Sequence, residues 1–337
     1  MTRRTIRLTP VASLAPFVGG GELVAFNVGP DGAVYLVVAL RPTDYRAELP
    51  SGVSFAKTVP DRPQTYRVVG LGDGRVVLDV TVENERFNVH DVQPVGRRLL
   101  LVCGRSRYRG PGDFDKNGRL YTRSGKLVRE ILLGDGIQTV QATTAGAIWT
   151  SYFDEGVFGT FGWQQPVGAS GLVAWDAAGR KRYEFQPPAG LDTICDCYAL
   201  NAASEDDVWL YYYTEFPLVR LHRKEVAGVW SVPVTGSHAF AVEDGYALFQ
   251  GGYAGHDRYH LLRLGGDGKG EKVAVVQLRD ADGGKLEPVW TVGRGGALWF
   301  VNGADGGVYR LGVREAVTAG GVSKGLTAPK RRPRGNR

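Results

Sequence analysis

Six stretches of the chain repeat one pattern, and a repeat of this kind permits few folds. Each has an apolar strand, a polar turn often holding Gly or Asp, and a second strand with a bulky residue early in it. They read FNVGPDGAVYLVV from Phe26, HDVQPVGRRLLLV from His90, VQATTAGAIWTSY from Val140, LNAASEDDVWLYY from Leu200, FAVEDGYALFQ from Phe240 and WTVGRGGALWFV from Trp290. Tyr35, Leu99, Trp149, Trp209, Leu248 and Trp299 fall in equivalent places, 39 to 64 residues apart, which is the repeat length of a four-stranded blade. Five of the pairs are followed by a further hairpin, such as SGLVAWDAAGRKRYEFQ, turning in most cases on Gly, Asp or Ser. The sixth has only a third strand, GVYRLGV at residues 307–313. Residues 5–10, TIRLTP, are the expected donor of the missing strand, because pairing them with the last blade closes the ring and removes an exposed edge. The expectation is an all-β, six-bladed β-propeller over residues 1–315, closed by the N-terminal strand in the last blade.

Composition agrees with this class. Gly reaches 48 residues and Met falls to one, while aromatics make up 10%, a profile of many tight turns between strands. The longest apolar runs, AVYLVVAL and LLLVCG, are far shorter than the roughly 20 residues a membrane helix needs. The N-terminus MTRRTIRLTPVASLAPF lacks the continuous apolar segment of a signal peptide, so a cytoplasmic location is expected. Three cysteines, Cys103, Cys195 and Cys197, form no disulfide framework and fit a reducing compartment.

The net charge of +6 belongs to the end of the chain. Lys324, Lys330, Arg331, Arg332, Arg334 and Arg337 lie in a stretch without acidic residues, and the remainder balances 35 Lys+Arg against 35 Asp+Glu. Residues 316–337 are therefore expected to form a basic, disordered tail. Its role is solubilising, with loose salt-sensitive contact to nucleic acid as the sharper reading.

The blade pattern, with turns of the form PDGxVY or xDxVW, resembles the TolB-like superfamily of six-bladed propellers, which includes NHL-repeat, gluconolactonase-type, paraoxonase and strictosidine synthase-like proteins. The resemblance covers residues 5–313, and WTSYFDEGVFG with SGLVAWD, and CDCYALN with VWLYYYTEFP, are similar to stretches of bacterial propellers.

In a propeller the innermost strands, A, line a central channel, and the B-to-C loops share one face with the D-to-A connections. The long B-to-C loops at residues 41–64, 105–116 and 151–169 therefore share one rim over blades 1 to 3. Loops of that length in a compact domain commonly bind something or pack as a lid. In the third, SYFDEGVFGTFGW, Gly156, Gly159 and Gly162 suit a tight non-helical course, and the rings, Trp163 among them, need an apolar floor. Asp154 and Glu155 are then the polar groups facing the channel mouth. A surface turn also contains such carboxylates.

The channel itself offers Asn88, His90, Asp91, Gln138, Asp196, Cys197, His238 and Glu287. Alternation sends His90 and Asp91 to opposite faces of one strand. The binding candidates are Asp154, Glu155, Trp163, His90, Asp196, His238 and Glu287. The gluconolactonase resemblance implies an alternative, a divalent cation (Ca, Zn or Mg) held by Asn88, His90, Asp196 and Glu287, with hydrolase or lactonase chemistry. DFDKNG at residues 113–118 mimics half a calcium loop but has Ser124 where the bidentate Glu belongs, so a turn is expected. Cys195 and Cys197 without a second pair fall short of a zinc site. Two functions remain: a binding propeller taking a protein segment or small ligand on the loop-rich rim, with no cofactor, or the metal-dependent enzyme.

Overall fold

The computed structural model describes residues 2–319 apart from 49–51, 53, 254 and 256. The basic tail expected beyond Lys324 lies outside the described residues. Six four-stranded antiparallel blades follow one another in chain order, their innermost strands being Glu22–Val28, Asp91–Val95, Ile137–Ala142, Asp196–Ala202, Phe240–Glu243 and Pro288–Arg294. Burial is uneven across a blade. Strand B of blade 1, Val34–Ala39, is buried at every position, since neighbouring blades cover both its faces, whereas strand D, Arg75–Glu85, alternates over most of its length. The equivalent residues Tyr35, Leu99, Trp149 and Leu248 are core, as the repeat implies, while Trp209 and Trp299 are half-buried.

One turn recurs with its chemistry visible. Asp31 accepts the Ala33 N–H at 3.2 Å and the Tyr35 hydroxyl at 2.7 Å, and Asp305 does the same for Gly307 and Tyr309, both at 2.7 Å. An Asp-Gly-x-Val-Tyr stretch thus ties its own turn, with Gly32 and Gly306 at positive φ.

The N-terminal segment closes the ring in the last blade, though through other residues than 5–10. Thr2–Arg7 runs parallel to Gly270–Arg279 as a fifth strand on blade 5, from Thr2 opposite Ala274 to Arg7 opposite Arg279. The strand ends before Pro10, which has no N–H to donate. The chain then crosses to blade 6, where Ala12–Ser13 pairs antiparallel with Gly307–Gly312. Leu14 follows, 1% exposed, packed among Phe26, Val28, Val34, Val301 and Val308 between the first and last blades. A short helix, Val313–Thr318, continues the body past residue 315, burying Val313 and Ala316 against blades 5 and 6.

Leu14 therefore seals the seam between the first blade and the last. Leu14→Ala should cost about 2–5 kcal/mol, read as a fall in the urea midpoint. A loss below about 0.5 kcal/mol would show that the seam is held by the strand pairs instead.

Candidate functional site: a blind channel with a loop-built mouth

The innermost strand of each blade has one edge with no strand beside it, so its N–H and C=O groups need other partners. Side-chain amides supply them. Asn27 donates to Asp91 at 2.6 Å and to the Val140 carbonyl at 2.9 Å, while Asp91 accepts the N–H groups of Val92 and Val140 at 2.7 and 3.0 Å. Gln93 bridges the Val28 carbonyl and the Ala142 N–H. Asn201 donates to the carbonyls of Phe240 and Gly295 and accepts the Gly295 N–H. Burial pushes the Asp91 carboxyl up to about 7 against the pull of its three donors.

This belt also closes the channel at the end carrying the A-to-B turns. Gln141 of blade 3 donates to the Leu200 and Gly293 carbonyls, and its oxygen accepts from the Ala202 N–H and Arg294. Arg294 of blade 6, directly across the ring, reaches the Ala142 carbonyl at 2.5 Å. Gly293 makes the approach possible, since a Cβ there would lie 1.9 Å from the Phe240 carbonyl oxygen. Gln141 and Arg294 thus span the ring at the end away from the long loops.

At that mouth the three long loops lean on one another. The blade 1 loop is tied to the start of blade 2 by Tyr45, whose hydroxyl donates to the Val89 carbonyl, and by Asn88, whose backbone N–H donates to the Thr58 carbonyl. The blade 2 and 3 loops are joined by Tyr108 donating to the Phe161 carbonyl and by Trp163 Nε1 donating to the Ser106 carbonyl. Their common centre is Arg105. It makes two parallel bonds to buried Asp135, at 2.9 and 3.0 Å, bonds Glu155 and Thr160, and lies over the Phe161 ring at 4.2 Å.

The sequence-derived candidates scatter around this frame. Asp154 is exposed at the start of a short helix, Asp154–Phe158, which replaces the expected non-helical course; Gly156 is buried in it, a Cβ's width from the Asp135 and Gly136 carbonyls. The Glu155 carboxylate is bonded to Arg105 and Thr160. Trp163 is buried against Tyr108 and Phe114. His90 lines the mouth with its ring edge-on to Tyr45, its Nδ1 accepting the Gly104 N–H. The surrounding wall pulls its pKa down to about 4, so it is neutral at pH 7. Glu287 and Gln138 are exposed at the starts of their A strands, and Cys197 is buried with its thiol pushed above the ordinary range by burial.

The metal set does not fit. Asn88 is buried with its amide donating to the Asp44 and Lys57 carbonyls, and no group of three or more His, Cys, Asp or Glu placed to hold a metal occurs among the described residues. The DFDKNG stretch is not the turn expected of it: Asp113–Phe114 is a short strand paired with Tyr108–Gly110, Gly118 begins the next strand, and Asp113 and Asp115 are bonded to Arg109.

Asp196 and His238 instead meet a set of rings that the sequence did not single out. Tyr198, two residues along from Asp196, stacks on His238 at 5.0 Å and contacts Phe216 and Tyr253 at 5.2 and 6.2 Å. Tyr213 sits opposite Asp196 across the strand pair and contacts Phe216 at 5.6 Å. Tyr253 is 62% exposed and Tyr213 44%, although both belong to the channel face. Burial, and then the Asp154 carboxylate, push Asp196 up to about 6.

Residues 169–310, less than half of the chain, match the YxzG family. None of the curated proteins matches. Among solved structures, virginiamycin B lyase from Staphylococcus aureus, an inactive variant crystallised with quinupristin, aligns at 12% identity and TM-score 0.42, over 91% of this chain and 99% of that one. A chain of the mitotic checkpoint complex aligns at 8% and 0.46, over 86% and 89%. The Cps50 (Swd1) propeller domain of Myceliophteria thermophila aligns at 12% and 0.44, over 87% and 97%. At these similarities none of them bears on what this chain binds.

Two stability outcomes follow from the charges. Arg105→Ala strands the Asp135 carboxylate in the rim and should cost about 3–5 kcal/mol, whereas Glu155→Gln, at a more exposed partner, should cost under about 1 kcal/mol; equal losses in urea unfolding would deny Arg105 its central role. For Asp196 the folded pKa is raised from 3.8 to about 6, so its favourable contribution is fully present below pH 4 and is lost as pH rises through about 6. Asp196→Asn should thus be more stable than the parent at pH 8 by about 1–2 kcal/mol, discounted for partial exposure. The gain should vanish near pH 4; a variant less stable at pH 8 would contradict this.

Proposed function

We propose that the chain is a binding propeller whose ligand enters the mouth of the blind channel on the loop-rich face. The observation that carries this is the stopper of Gln141 and Arg294 beneath a mouth walled by interlocked loops. A single-ended cavity with fixed walls and a few polar groups is the usual form of a small-ligand site. The site is shifted relative to the sequence reading, from the rim of blades 1 to 3 toward Asp154, Asp196 and His238 over blades 3 to 5. The six blades and the Asp-Gly-x-Val-Tyr turns support placing it with TolB-like propellers, and three free cysteines support a reducing, cytoplasmic setting.

The test is a thermal-shift screen of metabolites and short peptides. Hits should disappear in Gln138→Trp, which fills the mouth from an exposed position, and persist in Arg98→Ala on the opposite face. Hits that survive Gln138→Trp unchanged would place the ligand elsewhere.

A further inference from the structure

The wall of blade 4 brings together charge and rings in a way the rest of the mouth does not. Asp196 opens the innermost strand, with Tyr213 opposite it and Tyr198 two residues further along. The helix carrying Asp154 packs beside that same strand. Tyr253 is held in place from behind: a Cβ on Gly252 would lie 1.7 Å from the Thr235 carbonyl oxygen, and one on Gly236 would meet the Tyr253 ring at 2.4 Å. The tyrosine hydroxyls of Tyr198 and Tyr253 bond to each other, which fixes the two rings nearly perpendicular, at 86°. An exposed ring pair locked in this way costs little further entropy when something settles on it.

The charge balance is equally specific. Around the rim, Arg105 pairs with Asp135 and Glu155, and Lys57 pairs with Asp44 and Asp61. Among the described residues no Lys or Arg forms an ion pair with Asp154 or Asp196. Two carboxylates beside tyrosine rings make a patch of negative potential, half out of water, that suits an incoming cation. A bare divalent ion is poorly served there, since calcium takes 6–8 oxygen ligands and magnesium a rigid octahedron.

We propose that the mouth over blade 4 binds an organic cation, a protonated amine or quaternary ammonium on an apolar body, with the charge at Asp196 and Asp154 and the body on Tyr198, Tyr213 and Tyr253. This rests on reading the channel mouth as the ligand site and names its ligand class. His238, stacked on Tyr198, closes the side of the cradle toward blade 5.

Calorimetric titration at pH 8 with phenethylammonium, tetramethylammonium and the neutral phenethyl alcohol tests it. Phenethylammonium should bind, the alcohol at least tenfold more weakly. Asp196→Asn and Tyr253→Leu should each weaken the ammonium at least tenfold, while Arg98→Ala leaves it unchanged; circular dichroism confirms that each variant is folded. An alcohol that binds as well as the ammonium, or ammonium binding indifferent to Asp196→Asn, overturns the cation class. If such binding is still abolished by Gln138→Trp, the mouth stands as the site and only the class falls; if it is not, both fall. No heat from either ammonium up to about 10 mM, a range in which even weak millimolar binding registers, also overturns the proposal.

Discussion

Everything in this molecule depends on how the inner edges of six strands are satisfied. A blade presents an unpaired strand edge toward the axis, and six such edges facing a narrow channel would leave a ring of backbone groups without partners. Asn27, Gln93, Gln141 and Asn201 answer this, each a side-chain amide with donor and acceptor on one rigid plane, able to serve a carbonyl and an N–H on neighbouring strands. The same amides lock the angular spacing of the blades. Gln141 and Arg294 reach across the ring, so the opposite blades 3 and 6 are bonded to each other through the axis.

The opposite end is built on another principle. The rim over blades 1 to 3 is an ion-pair and ring assembly about Arg105, which serves two carboxylates and two phenylalanine rings at once. The wall over blades 4 and 5 is not balanced in this way: Asp196 is held ionised against burial and against Asp154, and the fold is weaker for it at neutral pH. Local instability retained within an otherwise satisfied structure is a common mark of a working surface.

The blade count, the strand pairs and the shared face of the long loops were legible in the sequence because they are set by local alternation and spacing. So was Asp196 as part of the innermost strand of blade 4, which begins at that residue. What escaped was set by contacts distant along the chain. Nothing near Glu155 announces Arg105, fifty residues earlier, so two adjacent carboxylates looked alike although one is spent on structure. Tyr253 lies in a short loop of the next blade, and only the curvature of the ring brings it to Tyr198, while Tyr213 joins the same rings from the neighbouring strand through Phe216. The N-terminal segment was expected on the last blade, but Thr2–Arg7 finds the free edge of blade 5 first, and Pro10 pushes the last-blade pairing on to Ala12–Ser13.

That crossing has a meaning for how the molecule is made. The segment 2–14 leaves the ribosome before any of the strands it pairs with, and its partners, Gly270–Arg279 and Gly307–Gly312, emerge only after the first four blades are complete. Until then those blades form an open arc with both ends unsealed, and the loop to be closed spans almost the whole chain, a step that long-range topology makes slow. The nascent protein therefore carries a free strand and an unsealed first blade through most of its synthesis. The three basic residues in Thr2–Arg7, Arg3, Arg4 and Arg7, keep that waiting strand soluble and discourage it from pairing with a second copy.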